Sequence, residues 1–370
     1  MDRKKEMQEE MSRFHKIAEK LSGRGLDAMM VTSGPNRLYA GGFASSAGMA
    51  IVTEKKTWFF TDSRYIEAAQ KNIQGADIQE FTREKPLLDL AKEVMERNGL
   101  KKVGFEERYT TVQDYERWKE KLPCELAPAS TLFSELRSVK EPEEIERLIA
   151  AQRIAEKSLV ETLDFIKTGR TEKEIAAFLL YRMLSNGANR MSFPPIVVSG
   201  ANSSMPHGVP SDKPVADGDF LTMDFGCMLD GYCSDMTRTV AIGHVTEEMD
   251  KVYHTVLQAQ LAGIATAKAG VTGRAVHEAA AKVIADAGYG AYFGHGFGHG
   301  FGHGLGLEVH EDPSANMAND KPLPVGAVIS AEPGIYIPGR FGVRIEDVVV
   351  IEENGCRDIM EAPKELIIIK

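Results

Sequence analysis

Phe220-Leu-Thr-Met-Asp-Phe-Gly-Cys-Met-Leu-Asp-Gly-Tyr-Cys-Ser-Asp-Met-Thr-Arg-Thr-Val-Ala-Ile242 contains two strand-like apolar runs, Phe220–Phe225 and Tyr232–Ile242, each with an acid inside it, Asp224 and Asp235. Short runs rich in β-branched and aromatic residues read as strands. An ionised carboxylate on a strand in the middle of a domain is costly unless it is paired or binds a metal. The anomaly recurs at Glu332 in Ser330-Ala-Glu-Pro-Gly and at Glu346 in Val343-Arg-Ile-Glu-Asp-Val. These four acids have Arg344 as their one basic neighbour, so the local sequence does not supply their counter-charge; a divalent metal is the simplest source. Taken singly, Asp224 or Glu346 reads rather as a solvent-facing acid at a turn or strand edge, since exposed acids are the commonest kind.

The histidines tip that balance. His303 and His310 lie seven residues apart in Gly302-His-Gly-Leu-Gly-Leu-Glu-Val-His-Glu, and the glycines flanking His303 let backbone and metal approach closely. Upstream, Phe-Gly-His-Gly recurs at 293–296, 297–300 and 301–304. Such a repeat alone reads as a polar loop or a surface metal scavenger, but here it leads into an apolar strand.

Outward from these motifs the chain falls into two parts. With 370 residues it is long enough for two domains at roughly 100–200 residues each. The first third alternates a helical period over 5–22 and a helix-like Pro86–Asn98 with short β-rich runs, Ala28–Val31, Met49–Val52, Thr57–Phe60 and Lys102–Phe105, which predicts an open α/β sheet. Near residue 134 a long amphipathic helix opens, with Pro142 suited to its first turn. Helices are then expected at about 142–167, 172–186, 247–268 and 273–287, with strands at Ile196–Ser199, Val328–Tyr336 and Val343–Glu352 beside the two above. Helices first and strands mainly afterwards indicate an α+β second domain, a curved sheet with helices on one face. The domains are set at 1–134 and 135–370.

Composition limits the function. Forty-four Lys+Arg against 54 Asp+Glu give a formal charge of -10, a field that repels phosphate backbones and anionic membranes. A nucleic-acid or membrane partner is therefore excluded from the expected set. The first ten residues carry no apolar export core, and no stretch approaches the eighteen apolar residues of a span. Cys124, Cys227, Cys233 and Cys356 form neither a disulfide framework nor a CxxC pair, which fits a reducing cytoplasm.

With its acids and histidines in this order and spacing, the sequence resembles the pita-bread dinuclear metallopeptidases: methionine aminopeptidase, Xaa-Pro aminopeptidase, prolidase and the non-metal creatinase. The resemblance spans essentially the whole chain, a creatinase-type N-terminal domain followed by a pita-bread catalytic domain. It implies five metal ligands, Asp224, Asp235, His303, Glu332 and Glu346, with Asp235 and Glu346 bridging two ions and a hydroxide between them as nucleophile. Creatinase lacks the full set, so creatine hydrolysis is disfavoured. An oxygen-rich donor set suits Mn²⁺, with Co²⁺ or Zn²⁺ as alternatives. His207, in Met205-Pro-His-Gly, matches the family histidine near the scissile peptide, and His310 the one that hydrogen-bonds the carbonyl or developing oxyanion. Thr237, Arg344 and Tyr336 match residues that support the ligands. His299, four before His303, matches the histidine lining a proline pocket, although the extra Phe-Gly-His-Gly unit leaves His295 as the alternative.

The function implied is a metal-dependent exopeptidase acting on peptides with proline in second position, an Xaa-Pro aminopeptidase. The alternative is an Xaa-Pro dipeptidase; a more remote one is a non-catalytic peptide-binding module, which retention of all five ligands opposes. The resemblance also implies a homodimer.

Overall fold

The computed structural model describes residues 12–294 and 300–370, and the chain divides after Leu136 into two compact units. The first unit is built on a six-stranded sheet in the order β4-β3-β2-β1-β5-β6. Its strands are β1 Ala28–Val31, β2 Met49–Thr53, β3 Thr57–Thr61, β4 Asp77–Glu80, β5 Lys102–Phe105 and β6 Glu125–Pro128. The three central strands pair antiparallel, while the β3–β4, β1–β5 and β5–β6 pairs are parallel. Helices α1 Arg13–Glu19, α2 Gly34–Gly41, α3 Ile66–Asn72, α4 Leu87–Asn98 and α5 Val112–Lys121 make the connections. Leu88, Ala91 and Met95 fall on one face of α4 and pack with Met30, Ile51 and Phe60 of the sheet and Trp118 of α5. The helix stops at Gly99, whose φ of 64° ends it in the left-handed region.

One buried carboxylate organises the turn from β1 to α2. Glu106, at the end of β5, is fully buried and accepts from the Ser33 amide (2.8 Å), the Ser33 hydroxyl (2.6 Å) and Asn36 Nδ2 (2.6 Å), as well as from the Thr32 amide. Arg37 is held beside it by the carbonyls of Thr32, Ser45 and Gly48.

Helix α6 Ser130–Ser138 contains the division, its last two residues belonging to the second unit, and ends before Val139. The helix expected at about 142–167 is α7 Pro142–Phe165: Glu141 caps it through a capping box with Glu144, and Pro142 opens its first turn, so the segment from Ser134 to Ser138 belongs to the separate helix α6. α8 Glu172–Ser185, α9 Glu247–Thr266 and α10 Gly273–Asp286 follow. The strands are β7 Arg190–Met191, β8 Ile196–Ser199, β9 Phe220–Phe225, β10 Cys227–Leu229, β11 Tyr232–Cys233 and β12 Met236–Ile242. After α10 come β13 Gly302–Gly304, β14 Glu311–Ala315, β15 Val328–Ala331, β16 Gly334–Ile337, β17 Phe341–Arg344, β18 Asp347–Ile351, β19 Cys356–Asp358 and β20 Ile368–Ile369. The α+β class and the two-part architecture expected from sequence are those observed.

The curved sheet consists of separate ladders, β20-β12-β9-β8, β14-β13-β15-β18-β19, β16-β17 and β11-β10-β7. One core packs α9 and α10 against β15 to β18; a second packs α7 and α8 against β8, β9 and β12. Three strands expected to be continuous are interrupted. The 232–242 run breaks before Met236, 328–336 breaks at Glu332-Pro333, and 343–352 breaks at Ile345-Glu346. Periodicity cannot reveal such breaks, because apolar residues continue on both sides of each. Among the described residues no helix is long and apolar enough to cross a membrane.

Because Glu106 satisfies several buried donors at once, Glu106→Leu is expected to destabilise the first unit by at least about 3 kcal/mol. The exposed Glu116→Leu should stay within about 0.5 kcal/mol of wild type. Chemical denaturation of both variants checks this; equal midpoints would remove Glu106 from its structural role.

Candidate metal centre

The interrupted strands form one long hairpin with its middle missing. β15 pairs β18 as Ala331↔Asp347 and β16 pairs β17 as Gly334↔Arg344, so the same register sets Glu332 opposite Glu346 and Pro333 opposite Ile345. Those two rungs do not form. Instead the Glu332 amide donates to Phe301 O (2.8 Å) and the Glu346 amide to Thr237 O (3.1 Å). Each acid is thus tied to a segment that carries another predicted ligand: Phe301 leads into His303, and Thr237 follows Asp235. The Asp235 amide in turn donates to Gln152 Oε1 of α7 (3.3 Å), and Asp224 pairs in register with Thr237.

The side chains converge accordingly. Asp235, His303 and Glu346, all buried, each offer a ligand atom within 4.8 Å of the others. His303 Nε2 lies 3.1 Å from Glu332 Oε1 and 3.6 Å from Asp235 Oδ2. His303 Nδ1 lies 3.1 Å from the Gly304 carbonyl, which can only accept, so Nδ1 carries a proton and Nε2 is the nitrogen facing the acids. The glycine beside His303 has a different use from the one read in the sequence. A Cβ on Gly302 would stand 1.9 Å from Ser330 O, so the space it leaves is filled by the neighbouring strand β15.

Asp224 sits at the edge of this trio, in an ion pair with Arg344 Nη2. Arg344 also donates to Thr237 Oγ1 (2.9 Å) and Tyr336 OH (2.6 Å), and Thr237 Oγ1 donates to Glu346 Oε2 (2.7 Å). Arg344 is not the only buried cation nearby. Arg238, unnoticed in the sequence, pairs with Asp347 (2.8 Å) and donates to Glu346 O (2.6 Å). His207 and His310 lie on the exposed side, and the His310 ring stands edge-on to His303, centroids 4.3 Å apart. His295 and His299 lie outside the described residues.

All five predicted ligands, His207, His310 and Arg344 line one cavity of about 330 Å³, whose remaining wall is apolar: Phe193, Pro194, Pro195, Ile196, Val209, Pro210 and Val309. Sequence reading missed that wall. It also missed Gln152 and Gln260, whose one signal is a polar residue on a buried helix face.

The electrostatics fit a divalent cation. Four carboxylates face one guanidinium across this cavity. Burial pushes the Asp235 and Glu346 carboxyl groups well above the usual range, and neighbouring acids push them further; burial also raises Asp224 despite Arg344. Burial alone would lower His303, but the hydrogen bond and charge of Glu332 carry it up to about 9. Glu346 Oε1 and Asp224 Oδ1 are buried without a hydrogen-bond partner among the described residues. Orphaned carboxylate oxygens beside an imidazole are the donor set of an oxygen-preferring metal.

His303, carried up to about 9, holds a proton at neutral pH that an arriving cation must displace, and the upward shifts of Asp235 and Glu346 act in the same direction, so metal binding is expected to release protons at neutral pH and to tighten as pH rises. Calorimetric titration of the metal-free protein in two buffers of different ionisation enthalpy measures this. Identical heats in both buffers would show that no proton leaves the site on binding and would contradict the raised His303.

A model described as metallopeptidase family M24 matches residues 146–353, and one described as the Creatinase/Prolidase N-terminal domain matches residues 13–139. YqhT of Bacillus subtilis, described as an uncharacterized peptidase, is 41% identical over 96% of this chain and 100% of its own. The structure of the Xaa-Pro dipeptidase from Bacillus anthracis matches with a TM-score of 0.92 at 38% identity, covering 96% of this chain and 99% of that one. The X-Pro aminopeptidase from Thermotoga maritima MSB8 matches with a TM-score of 0.88 at 35% identity, covering 96% and 100%. A model covering more than half of the chain and relatives aligned nearly end to end agree: the chain belongs to metallopeptidase family M24, with a Creatinase/Prolidase N-terminal domain before the peptidase domain.

Proposed function

We propose that the protein is an Xaa-Pro aminopeptidase, removing the first residue of peptides that have proline in second position and extend beyond it. One observation favours this over the dipeptidase reading. A dipeptide carries its carboxylate into the site, where a charge-assisted hydrogen bond from Arg, Lys or a protonated His would be its natural partner, and in this reading His207 and His310 are taken up by the scissile peptide. Among the described residues lining the cavity, the only Arg or Lys is Arg344. Its guanidinium is committed to Asp224, Thr237, Tyr336 and the Pro206 carbonyl. A longer peptide presents an amide at that place and needs no cation.

Asp224, Asp235, His303, Glu332 and Glu346 would hold two divalent ions, Mn²⁺ being the metal that the oxygen-rich donor set favours. When bound, the ions supply an activated water and a positive field for the developing oxyanion. The chain's own residues do the rest. Thr237 and Arg344 fix the carboxylate rotamers of Glu346 and Asp224 by hydrogen bonds. His310, against His303 on the cavity wall, donates to the substrate carbonyl oxygen; a donor of this kind contributes about 10²–10³ in rate. His207 binds the peptide beside the scissile bond. The apolar wall formed by Phe193, Pro194, Pro195, Ile196 and Val209 excludes water and receives the rigid proline ring at little entropic cost.

The test compares kcat/KM for an Xaa-Pro dipeptide with that for the same dipeptide extended by one residue, using metal-loaded protein. The extended peptide is expected to be cleaved at least tenfold more efficiently. A tenfold preference for the dipeptide would replace the aminopeptidase reading with the dipeptidase one.

A further inference from the structure

Gln260 lies on the buried face of α9 among Val252, Tyr253, Val256, Ala259 and Gly263, and is itself fully buried. A carboxamide there is unfavourable unless its polar atoms are used. Nε2 donates one hydrogen bond to Ala331 O (3.0 Å) and one to Ile345 O (3.2 Å). These are the residues immediately before Glu332 and Glu346. A primary amide has two N–H groups, and both are employed, while Oε1 is buried without a hydrogen-bond partner among the described residues; the flipped amide would set an oxygen against two carbonyls, so the partners fix its orientation.

The location gives the interaction its meaning. The hairpin lacks its rungs at Glu332↔Glu346 and Pro333↔Ile345, and Pro333 has no N–H to restore one. Across that gap the two backbones have no ladder bond to each other. One side chain from a third element reaches both carbonyls and ties them to the same atom. We infer that Gln260 is a positioning residue of the metal centre, its carboxamide replacing the missing rungs and fixing the two backbones from which Glu332 and Glu346 project. This rests on the metal-site reading above and adds to it a residue that touches neither metal nor substrate. A space-filling role would be met equally well by Met or Leu, so the residue type discriminates.

The experiment measures Mn²⁺ affinity calorimetrically on full-length wild type, Gln260→Met and Val256→Ala, at a temperature where circular dichroism shows all three folded. Val256 is buried in the same core on the same helix, so Val256→Ala controls for destabilisation alone. Gln260→Met is expected to weaken Mn²⁺ binding about 10–100-fold, the usual cost of losing a group that orients ligands. Val256→Ala should lower the melting temperature and leave the Mn²⁺ affinity within twofold. An affinity within twofold of wild type for Gln260→Met would overturn the inference, whatever its melting temperature. Should that variant yield no folded protein, Gln260→Glu, which keeps the shape with at most one donor, is judged by the same criterion. A wild type that binds no Mn²⁺ would overturn the metal reading and this inference together, whereas normal wild-type binding with an unchanged variant overturns this one alone.

Discussion

Glu332 and Glu346 face each other across a hairpin whose pairing has been removed at their level. Like charges directly opposite on paired strands repel. Here the strands part, and each acid's amide turns outward to another segment, Glu332 to Phe301 and Glu346 to Thr237. Those two bonds bring His303 and Asp235 to the gap. The convergence of the predicted ligands Asp235, His303, Glu332 and Glu346 therefore follows from one interruption in a regular pattern. Gly302 permits it, because any side chain there would collide with Ser330.

The protein treats its buried acids in two ways. Asp347 is neutralised internally by Arg238 and Lys364. Its neighbour Glu346 has a hydrogen bond from Thr237 to one oxygen, while the other has no partner among the described residues. An acid with a cation on each oxygen needs no external charge, whereas Glu346, with no cation on its unpartnered oxygen, leaves room for one. Asp224 stands between these cases, with Arg344 on one oxygen and the other unpartnered among the described residues. The apolar wall opposite the acids keeps the local dielectric low, which strengthens every charge interaction in the cavity.

Much of this was legible in the sequence because acids inside apolar runs violate the ordinary pattern. The limits of β8 and β9 match their apolar runs residue for residue, and the helix starts at Pro142, Glu172, Glu247 and Gly273 follow from caps and proline placement. The strand breaks were not legible, since hydrophobicity is continuous through Ile345 and Ala331 and only tertiary pairing reveals the missing rungs. Residue pattern alone does not separate Glu346 from Asp347, and the family resemblance is what names Glu346; the structure adds that Asp347 meets Arg238. Gln260 was hidden for another reason. A glutamine within a helix is common, and its importance depends on two carbonyls about 70 and 85 residues away. The role of the Phe-Gly-His-Gly repeat in lining a proline pocket rests on His295 and His299, which lie outside the described residues.

The claim on which all else depends is that the interrupted hairpin holds a two-cation site. Equilibrium titration of Mn²⁺ into the metal-free wild type and into Glu346→Gln, followed by the loss of free-ion paramagnetic resonance signal, measures it most directly. Two ions per wild-type chain, and no more than one in Glu346→Gln, is the result expected if Glu346 is shared between both. Two ions bound with unchanged affinity after Glu346→Gln would contradict it.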